Sequence, residues 1–456
     1  MKKNWAVYLA VSTLLFLGVS CMSSDDGSDV VLSPFALVKS FSIGNIKSTY
    51  PAFTSTGEDT VVVKTIATTA YPFTIDQAAG LIYNIDSLPY CTNTSKLVIS
   101  ASVTGYLSMY VDSTDSYEYF SSTDSLDFSY PRRIRVLAAD TEYHKDYTVS
   151  VNVHQVEPEL MQWSEYQAPQ GLVPQRAVEL DGKMYLFGAA GDGSQVVTSA
   201  ELAGEPVWSS FKAVSGFQSA ADLATINKFG DALYAIAGGN LYKSVDAVEW
   251  SVVLQGEELV AIVGVSEQAG EMWLASADRL LCGNGAEFKA ECRLPSGFPL
   301  YGLSIASYPL AHNRNIIRYM AIGYTAADKN SAPVVWSRIS NEDAWVKYDN
   351  GNQYPCPQLN GLAVFRYDND LYAFGGAGKA GDTDVEAFDS LYVSKDNGIV
   401  WKTPKTFYHR MPRGLSGCDA PFAATADSHN FIWIVTGGEN AMVWKGIINR
   451  LGFKNR

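Results

Sequence analysis

The stretch LYVSKDNGIVW, residues 391–401, carries a dense pattern of reactive and polar side chains: Ser394, Asp396, Gly398 and Trp401 fit S-x-D-x-G-x-x-W. A hydroxyl two residues before a carboxylate can either take part in a reaction or brace a turn by bonding to backbone groups. A second copy, LYKSVDAVEW at 241–250, keeps Ser244, Asp246 and Trp250 but lacks the glycine, and further on Cys282 and Phe288 occupy the places of Ser244 and Trp250. Polar members that decay from copy to copy while an aromatic persists favour the brace. In that reading Gly398 supplies the positive φ of a hairpin loop, and Trp401 plugs the space between two sheets.

Other chemistry is sparse. The five histidines, His144, His154, His312, His409 and His429, show no metal-ligand spacing, and His312 and His429 fall in expected hairpin turns. No G-x-S-x-G elbow or phosphate loop occurs. After Cys21 five cysteines remain, an odd number, and none has C-x-x-C spacing, so a zinc knuckle is not expected. Cys356 and Cys418 each precede the second glycine of a Gly-Gly pair, Gly376 and Gly438, by the same interval, which would allow a disulfide between them. Cys282 and Cys292 are expected to miss one another: a tight turn at Asn284–Gly285 would set Cys282 opposite Glu287. No metal or cofactor is expected.

The elements that position these residues fall into four segments. Residues 1–20 have a basic start, an apolar run from Trp5 to Val19 and small residues before Cys21, as a secretory leader does. The small residues just before Cys21 resemble a bacterial lipobox, which implies lipidation at Cys21. Residues 21–30, with MSSDDGSD behind the cysteine, make a flexible acidic tether. Acidic residues in that place resemble the surface-export signal of Bacteroidota lipoproteins, so the expected location is the outer membrane, lipid-anchored and facing outward. The chain of 456 residues carries a formal net charge of −14, which argues against nucleic acid as a partner.

Residues 31–156 are rich in Thr, Ser, Val and Tyr, with alternating stretches such as DTVVVKTIA, KLVISASV and RRIRVLAAD. In YTVSVNVH, 147–154, Tyr147, Val149, Val151 and Val153 share one face, the period of a half-buried strand. Roughly seven such strands suit an immunoglobulin-like sandwich. The ending IRVLAADTEYHKDYTVSVNVH resembles the last hairpin of Ig-like modules in Bacteroidota surface lipoproteins. Arg132 and Arg133 read as charges that keep an exposed strand edge soluble.

Residues 157–456 repeat. Six aromatic-led strands end in glycine or another small residue: DGKMYLFGAA (181–190), FGDALYAIAGG (229–239), AGEMWLAS (269–276), IIRYMAIG (316–323), DNDLYAFGG (368–376) and HNFIWIVTGG (429–438). Five are followed by a hairpin ending in an aromatic: Trp208, Trp250, Phe288, Trp345 and Trp401. The sixth lacks one, and Trp163 in LMQWSEY supplies it from the start of the region. The expected fold is all-β: an Ig-like β-sandwich followed by a six-bladed β-propeller closed by the N-terminal strand of the propeller region, because pairing the two ends removes an open edge. The Gly-Gly ends resemble kelch-type propellers, and the Ser/Asp/Trp turns resemble the Asp-box of sialidases and related propellers.

Propellers bind ligands at the loops feeding their innermost strands, and the copies place Arg176, Asp222, Tyr301, Asn360 and Asp419 there. Mixed charge with an aromatic suits a polar ligand such as a glycan. A sialidase would need an arginine cluster and a Phe-Arg-Ile-Pro-like strand, and FRYD at 365–368, with Arg366, is the nearest match. The expectation is therefore a monomeric surface lipoprotein whose propeller binds an extracellular glycan or protein without catalysis. The alternatives are a sugar-active enzyme of sialidase, epimerase or lyase type using the axial pocket, and a structural subunit of an outer-membrane assembly.

Overall fold

A computed structural model describes residues 32–53, 59–349, 351–404 and 408–453. The leader, the tether and the lipidation site Cys21 lie outside the described residues. The described residues are all-β, with short 3₁₀ turns and no α-helix, and none of their helices is long and apolar enough to cross a membrane. The chain divides into two compact units, one ending at Gln155 and one beginning at Val156.

The described residues of the first unit form ten strands rather than about seven. Val38–Ile43 pairs with Ile99–Val103, and Ile46–Phe53 pairs with Asp59–Ile66. A six-stranded sheet runs in the order Phe73–Asp76, Leu81–Asn84, His144–Ser150, Arg132–Leu137, Tyr106–Val111 and Ser116–Glu118. The period-two pattern is satisfied: Tyr147 and Val149 are buried beside Ile134 and Val136, with Val151 and Val153 packed against the same cluster. Arg132 and Arg133 do not mark a sheet edge. Their strand lies between His144–Ser150 and Tyr106–Val111. The Arg133 guanidinium sits 3.5 Å from the Tyr110 ring centroid, and Arg135 3.9 Å from that of Tyr117, so the arginines cover aromatic side chains on the outer face.

The second unit consists of successive antiparallel sheets. Sheet 1 holds Leu172–Leu180, Lys183–Ala190, Gln195–Glu201 and Lys212–Ala213; sheet 2 holds Asn227–Phe229, Ala232–Ala237, Asn240–Ser244 and Ser251–Leu254. Sheet 3 is Leu259–Ser266, Glu271–Ser276, Arg279–Gly283 and Phe288–Arg293, and sheet 4 is Tyr301–Leu310, Asn313–Tyr324, Val334–Ile339 and Val346–Lys347. Sheet 5 has three strands, Ala363–Tyr367, Asp370–Phe374 and Tyr392–Ser394, and Lys402 adds only a single bridge to Val393. A small sheet of Gln358–Leu359, Gly378–Ala380 and Thr383–Val385 accompanies it. Sheet 6 runs in the order Met161–Gln167, Met442–Ile448, Ile432–Thr436 and Phe422–Ala426, with Trp163 opposite Gly446 and Glu165 opposite Trp444.

Six apolar clusters join these sheets in pairs. Val178 and Phe187 pack with Leu233 and Tyr242, Leu241 with Met272, Val263 with Tyr319, and Met320 with Leu371. Phe374 packs with Ile434, and Trp433 and Val443 of sheet 6 pack with Met184 and Leu186 of sheet 1. Each cluster receives one of the six aromatics read from the repeat: Trp250, Phe288, Trp345, Trp401, Trp163 and Trp208. Large flat rings bury much apolar surface, so one ring per junction fills the wedge between diverging sheets.

All five described cysteines are free thiols, so Cys356 and Cys418 form no disulfide. Cys356 belongs to the cluster of sheets 4 and 5, and Cys418 packs against that of sheets 5 and 6. Cys282 faces Lys289 rather than Glu287, while Cys292 faces Leu280. The loop is wider than two residues because the Asn284 carboxamide oxygen accepts from the amides of Ala286 and Glu287, at 3.0 and 2.9 Å.

Candidate functional site

The S-x-D-x-G-x-x-W turn is a self-contained brace. Ser394 Oγ donates to Asp396 Oδ1 at 2.8 Å, and the same Oγ accepts from the Gly398 amide at 2.8 Å. Asp396 Oδ1 also accepts from the Val400 amide at 2.9 Å, and Trp401 Nε1 donates to the Gly398 carbonyl at 3.0 Å. Gly398 has φ +93, and a Cβ there would stand 3.0 Å from Val335 Cγ1, so conformation and space both require glycine. In the second copy Asp246 Oδ1 accepts from Ser244 Oγ and from the amides of Val248 and Glu249. Ala247 there holds φ +67 without a glycine. These polar atoms are spent on the turn itself.

The larger concave feature is a cavity of about 870 Å³. The first strands of sheets 1 to 5 and the Phe422–Ala426 strand of sheet 6 contribute to its wall: Arg176, Asn227, Ile262, Ser304, Val364 and Ala424 are examples, in sheet order. Strict alternation would send neighbouring side chains to opposite faces, yet Gln175 and Arg176 both line the cavity. A bulge explains this, because the register moves from Pro174 opposite Gly188 to Arg176 opposite Phe187. The first strands of sheets 3 and 4 are bulged within the same wall, between Leu259 and Ala261 and between Tyr301 and Ser304. A second cavity of about 380 Å³ lies along other residues of the first strands of sheets 3 and 4, beside the 3.5 Å ion pair of Lys228 and Glu267.

Three of the five residues chosen from the sequence, Arg176, Asp222 and Tyr301, line the larger cavity. Arg176 Nε donates to the Ile226 carbonyl at 2.8 Å and Nη2 to Asn227 Oδ1 at 2.7 Å. Asn227 is held in turn by donating to the Thr225 carbonyl at 2.9 Å. Burial pulls the Arg176 guanidinium down to about 10, which leaves it a cation at neutral pH. Among the described residues it forms no ion pair. Asp222 caps the short turn Leu223–Thr225, its Oδ1 accepting from the Ala224 amide at 3.1 Å, and it is the one carboxylate in the described lining. Tyr301 stands at the start of its strand, 37% exposed.

Asn360 and Asp419 are exposed and lie outside the lining, which their neighbours Gly361 and Phe422 join instead. The Asn360 carbonyl accepts from the Gly376 amide at 2.7 Å, a backbone role. Gln175 and Lys329 are among the lining residues that the sequence reading did not pick out. Lys329 belongs to the long loop TAADKNSAP, which joins the second and third strands of sheet 4 rather than feeding a first strand. Its ammonium lies beside Gly302, 3.3 Å from where a Cβ would stand, and hence next to Tyr301. Arg366 is not in the lining; it stacks at 3.8 Å on the ring of Tyr308. His312 and His429 fall in the turns after Leu310 and Ala426, and no cluster of metal-ligating side chains occurs among the described residues.

Comparison with known proteins gives two family matches. Residues 157–456 match the DUF6242 beta propeller domain, and residues 41–151 match the N-terminal domain of the same family, a domain of unknown function. No curated protein matches the chain. Among solved structures, the calcium structure of a Carbohydrate-Active Enzymes Family AA12 protein from Trichoderma reesei is 10% identical, with a TM-score of 0.36, over 62% of this chain and 95% of that one. AofleA from Arthrobotrys oligospora is 13% identical, with a TM-score of 0.35, over 63% and 86%. The WD40 domain of Toxoplasma gondii coronin is 10% identical, with a TM-score of 0.35, over 64% and 87%.

Proposed function

The chain belongs to the DUF6242 family, and we propose that its C-terminal unit is a six-bladed propeller serving as a non-catalytic recognition module. Six sheets whose apolar clusters run pairwise from sheet 1 to sheet 6 and back to sheet 1 support the ring. The pairing of Met161–Gln167 with Met442–Ile448 supports closure by the strand that opens the unit. The N-terminal unit is read as an Ig-like module. Lipidation of Cys21 would anchor the monomer in the outer membrane, facing the exterior.

One observation carries the recognition reading: the cavity to which one strand of each sheet contributes sets a few polar side chains, an exposed tyrosine and, among the described residues, one carboxylate into a largely apolar wall. General acid–base hydrolysis of a glycoside calls for two carboxylates flanking the bond. Binding a glycan or a protein loop calls only for shape and hydrogen bonds. A soluble chain beginning at Met22, applied to glycan arrays and to pull-downs of extracellular material, should retain a ligand through Tyr301 and Arg176. Silence across both panels sinks the reading. Glycosidase or lyase turnover lost on Arg176→Ala or Asp222→Ala would replace it with an enzyme. Palmitate labelling that disappears in Cys21→Ser tests the anchor.

A further inference from the structure

We propose that the 870 Å³ cavity selects a saccharide bearing an anionic group, a carboxylate or a sulfate, neutralised by Arg176 and Lys329 while Tyr301 packs against a sugar ring. This deepens the recognition reading and rests on it. The lining carries two cations, Arg176 and Lys329, against one carboxylate, Asp222, in a chain whose formal net charge is −14. The wall therefore runs against the electrostatic sign of the rest of the molecule, as a cleft that concentrates anions does.

Arg176 is the stronger evidence. Its guanidinium is partly buried, and both of its partners, the Ile226 carbonyl and the Asn227 carboxamide, are neutral. A desolvated cation without a counter-charge is costly, and an anion delivered by a ligand relieves that cost. The side chain remains half-accessible, and the space it borders is the cavity. The bulge at Gln175 turns it there, and the bonds to Ile226 and Asn227 occupy its Nε–Nη2 edge and fix its plane, which leaves the Nη1–Nη2 edge for a bidentate anion.

Lys329 adds a second, exposed cation at the rim. Its ammonium lies over Gly302 and beside Tyr301, so a charged sugar held by the lysine would meet the exposed tyrosine ring. Asp222, the opposing charge, is engaged by the Ala224 amide. The volume exceeds that of an inorganic anion and suits a short oligosaccharide, and the side chains of Gln175 and Ser304 offer its hydroxyls partners.

Calorimetry on the soluble chain tests this with three probes: an oligogalacturonate, the same oligomer after carboxyl reduction, and a sulfated oligosaccharide. An anionic probe should bind at least about tenfold more tightly than the reduced one, the worth of one charge-assisted hydrogen bond. Whichever of the carboxylated and sulfated probes binds identifies the anion, and its affinity should fall with added salt. Arg176→Gln should lose about tenfold or more, and Lys329→Gln several-fold. Should Arg176→Gln melt early, Lys329→Gln decides, because that side chain is exposed and without an ion pair among the described residues. Full affinity in Lys329→Gln, or equal binding of the reduced oligomer, overturns the anion selectivity and leaves the recognition reading standing. No binding of any probe, joined to silence on the arrays, overturns both.

Discussion

Replacing Gly446 by alanine tests the pairing on which the ring depends. Gly446 lies directly opposite Trp163, and its φ is not positive, so the backbone itself would accept alanine. A Cβ there would come within 2.6 Å of Trp163 Cζ3 and 2.7 Å of Cδ2, closer than carbon atoms approach one another. The ring cannot swing aside freely, because Nε1 donates to the Arg410 carbonyl at 2.8 Å and its body packs on the cluster between sheets 5 and 6. Overpacking of this kind costs about 1–3 kcal/mol. Relief of glycine's extra unfolded-state freedom returns roughly 0.5–1 kcal/mol. The difference spans about 0–2.5 kcal/mol, and contacts this short place Gly446→Ala in its upper half.

Trp163→Ala alone removes a half-buried ring and should cost up to about 3 kcal/mol. Once the ring is gone the new methyl has room, so the double variant should be more stable than the sum of the singles by about 1–3 kcal/mol. Calorimetric melting of the soluble chain, with the transitions of the two units fitted separately, reads all four corners of the cycle. Hydrogen exchange at Val443–Ile448 reports locally whether the paired edge has loosened. A neutral Gly446→Ala, or strictly additive losses, would mean that Trp163 does not cover Gly446, and the closing strand would then be in another register or elsewhere.

Asp396→Ala removes the acceptor for the Val400 amide and the Ser394 hydroxyl and should lower stability by about 1–2 kcal/mol in denaturant titrations. Ligand affinity should not change, and a large loss of affinity with the fold intact would return chemistry to this turn. In the N-terminal unit, Arg135 donates to both Asp146 oxygens, at 2.6 and 2.9 Å, and holds that carboxyl below its usual range. Its stabilisation is therefore full above the unfolded value near 4 and is lost as pH falls through the lower folded value. Partial exposure keeps it under about 1 kcal/mol. Melting from pH 7 to pH 2 should show that loss in the native chain and not in Asp146→Asn. Burial pushes the Cys282 thiol up to about 12 and Cys356 further. Iodoacetamide at pH 8 should thus spare Cys356 until the chain unfolds, and native labelling at the unfolded rate would contradict its burial.

The repeat was legible because each copy meets the same constraint. An aromatic-led strand ending in a small residue appears six times, and each associated ring closes one sheet junction, which keeps the aromatic even where the turn around it degrades. The strand of Trp163 could be matched to the sixth junction for the same reason. Local side-chain chemistry and strand order were less legible. Asn284–Gly285 looks like a two-residue turn, but the Asn284 side chain bonds forward and widens it. Arg132 and Arg133 look like edge charges until the strand order puts Tyr106–Val111 beside them.

The cavity divides the same way. Arg176, Asp222 and Tyr301 could be found by counting back from each copy to the strand before it, since one strand of each sheet borders the same cavity. The counting fails where the wall departs from repetition. Gln175 faces inward only because a bulge breaks the alternation, and a bulge leaves no mark in a hydrophobic pattern. Lys329 arrives on a loop between the second and third strands of sheet 4, and its sole trace in the sequence is that loop's length. Repetition builds the cavity, and the two departures from it supply much of its character: one sets the direction of the partly buried guanidinium, the other brings a second cation to the tyrosine. If specificity resides in such departures, a chain with the same six repeats but a short loop in sheet 4 should keep the fold and lose the preference for anionic sugars. Shortening 325–332 here, and measuring the ratio of affinities for carboxylated and reduced oligomers, separates the two contributions: the ratio should fall while the melting profile holds.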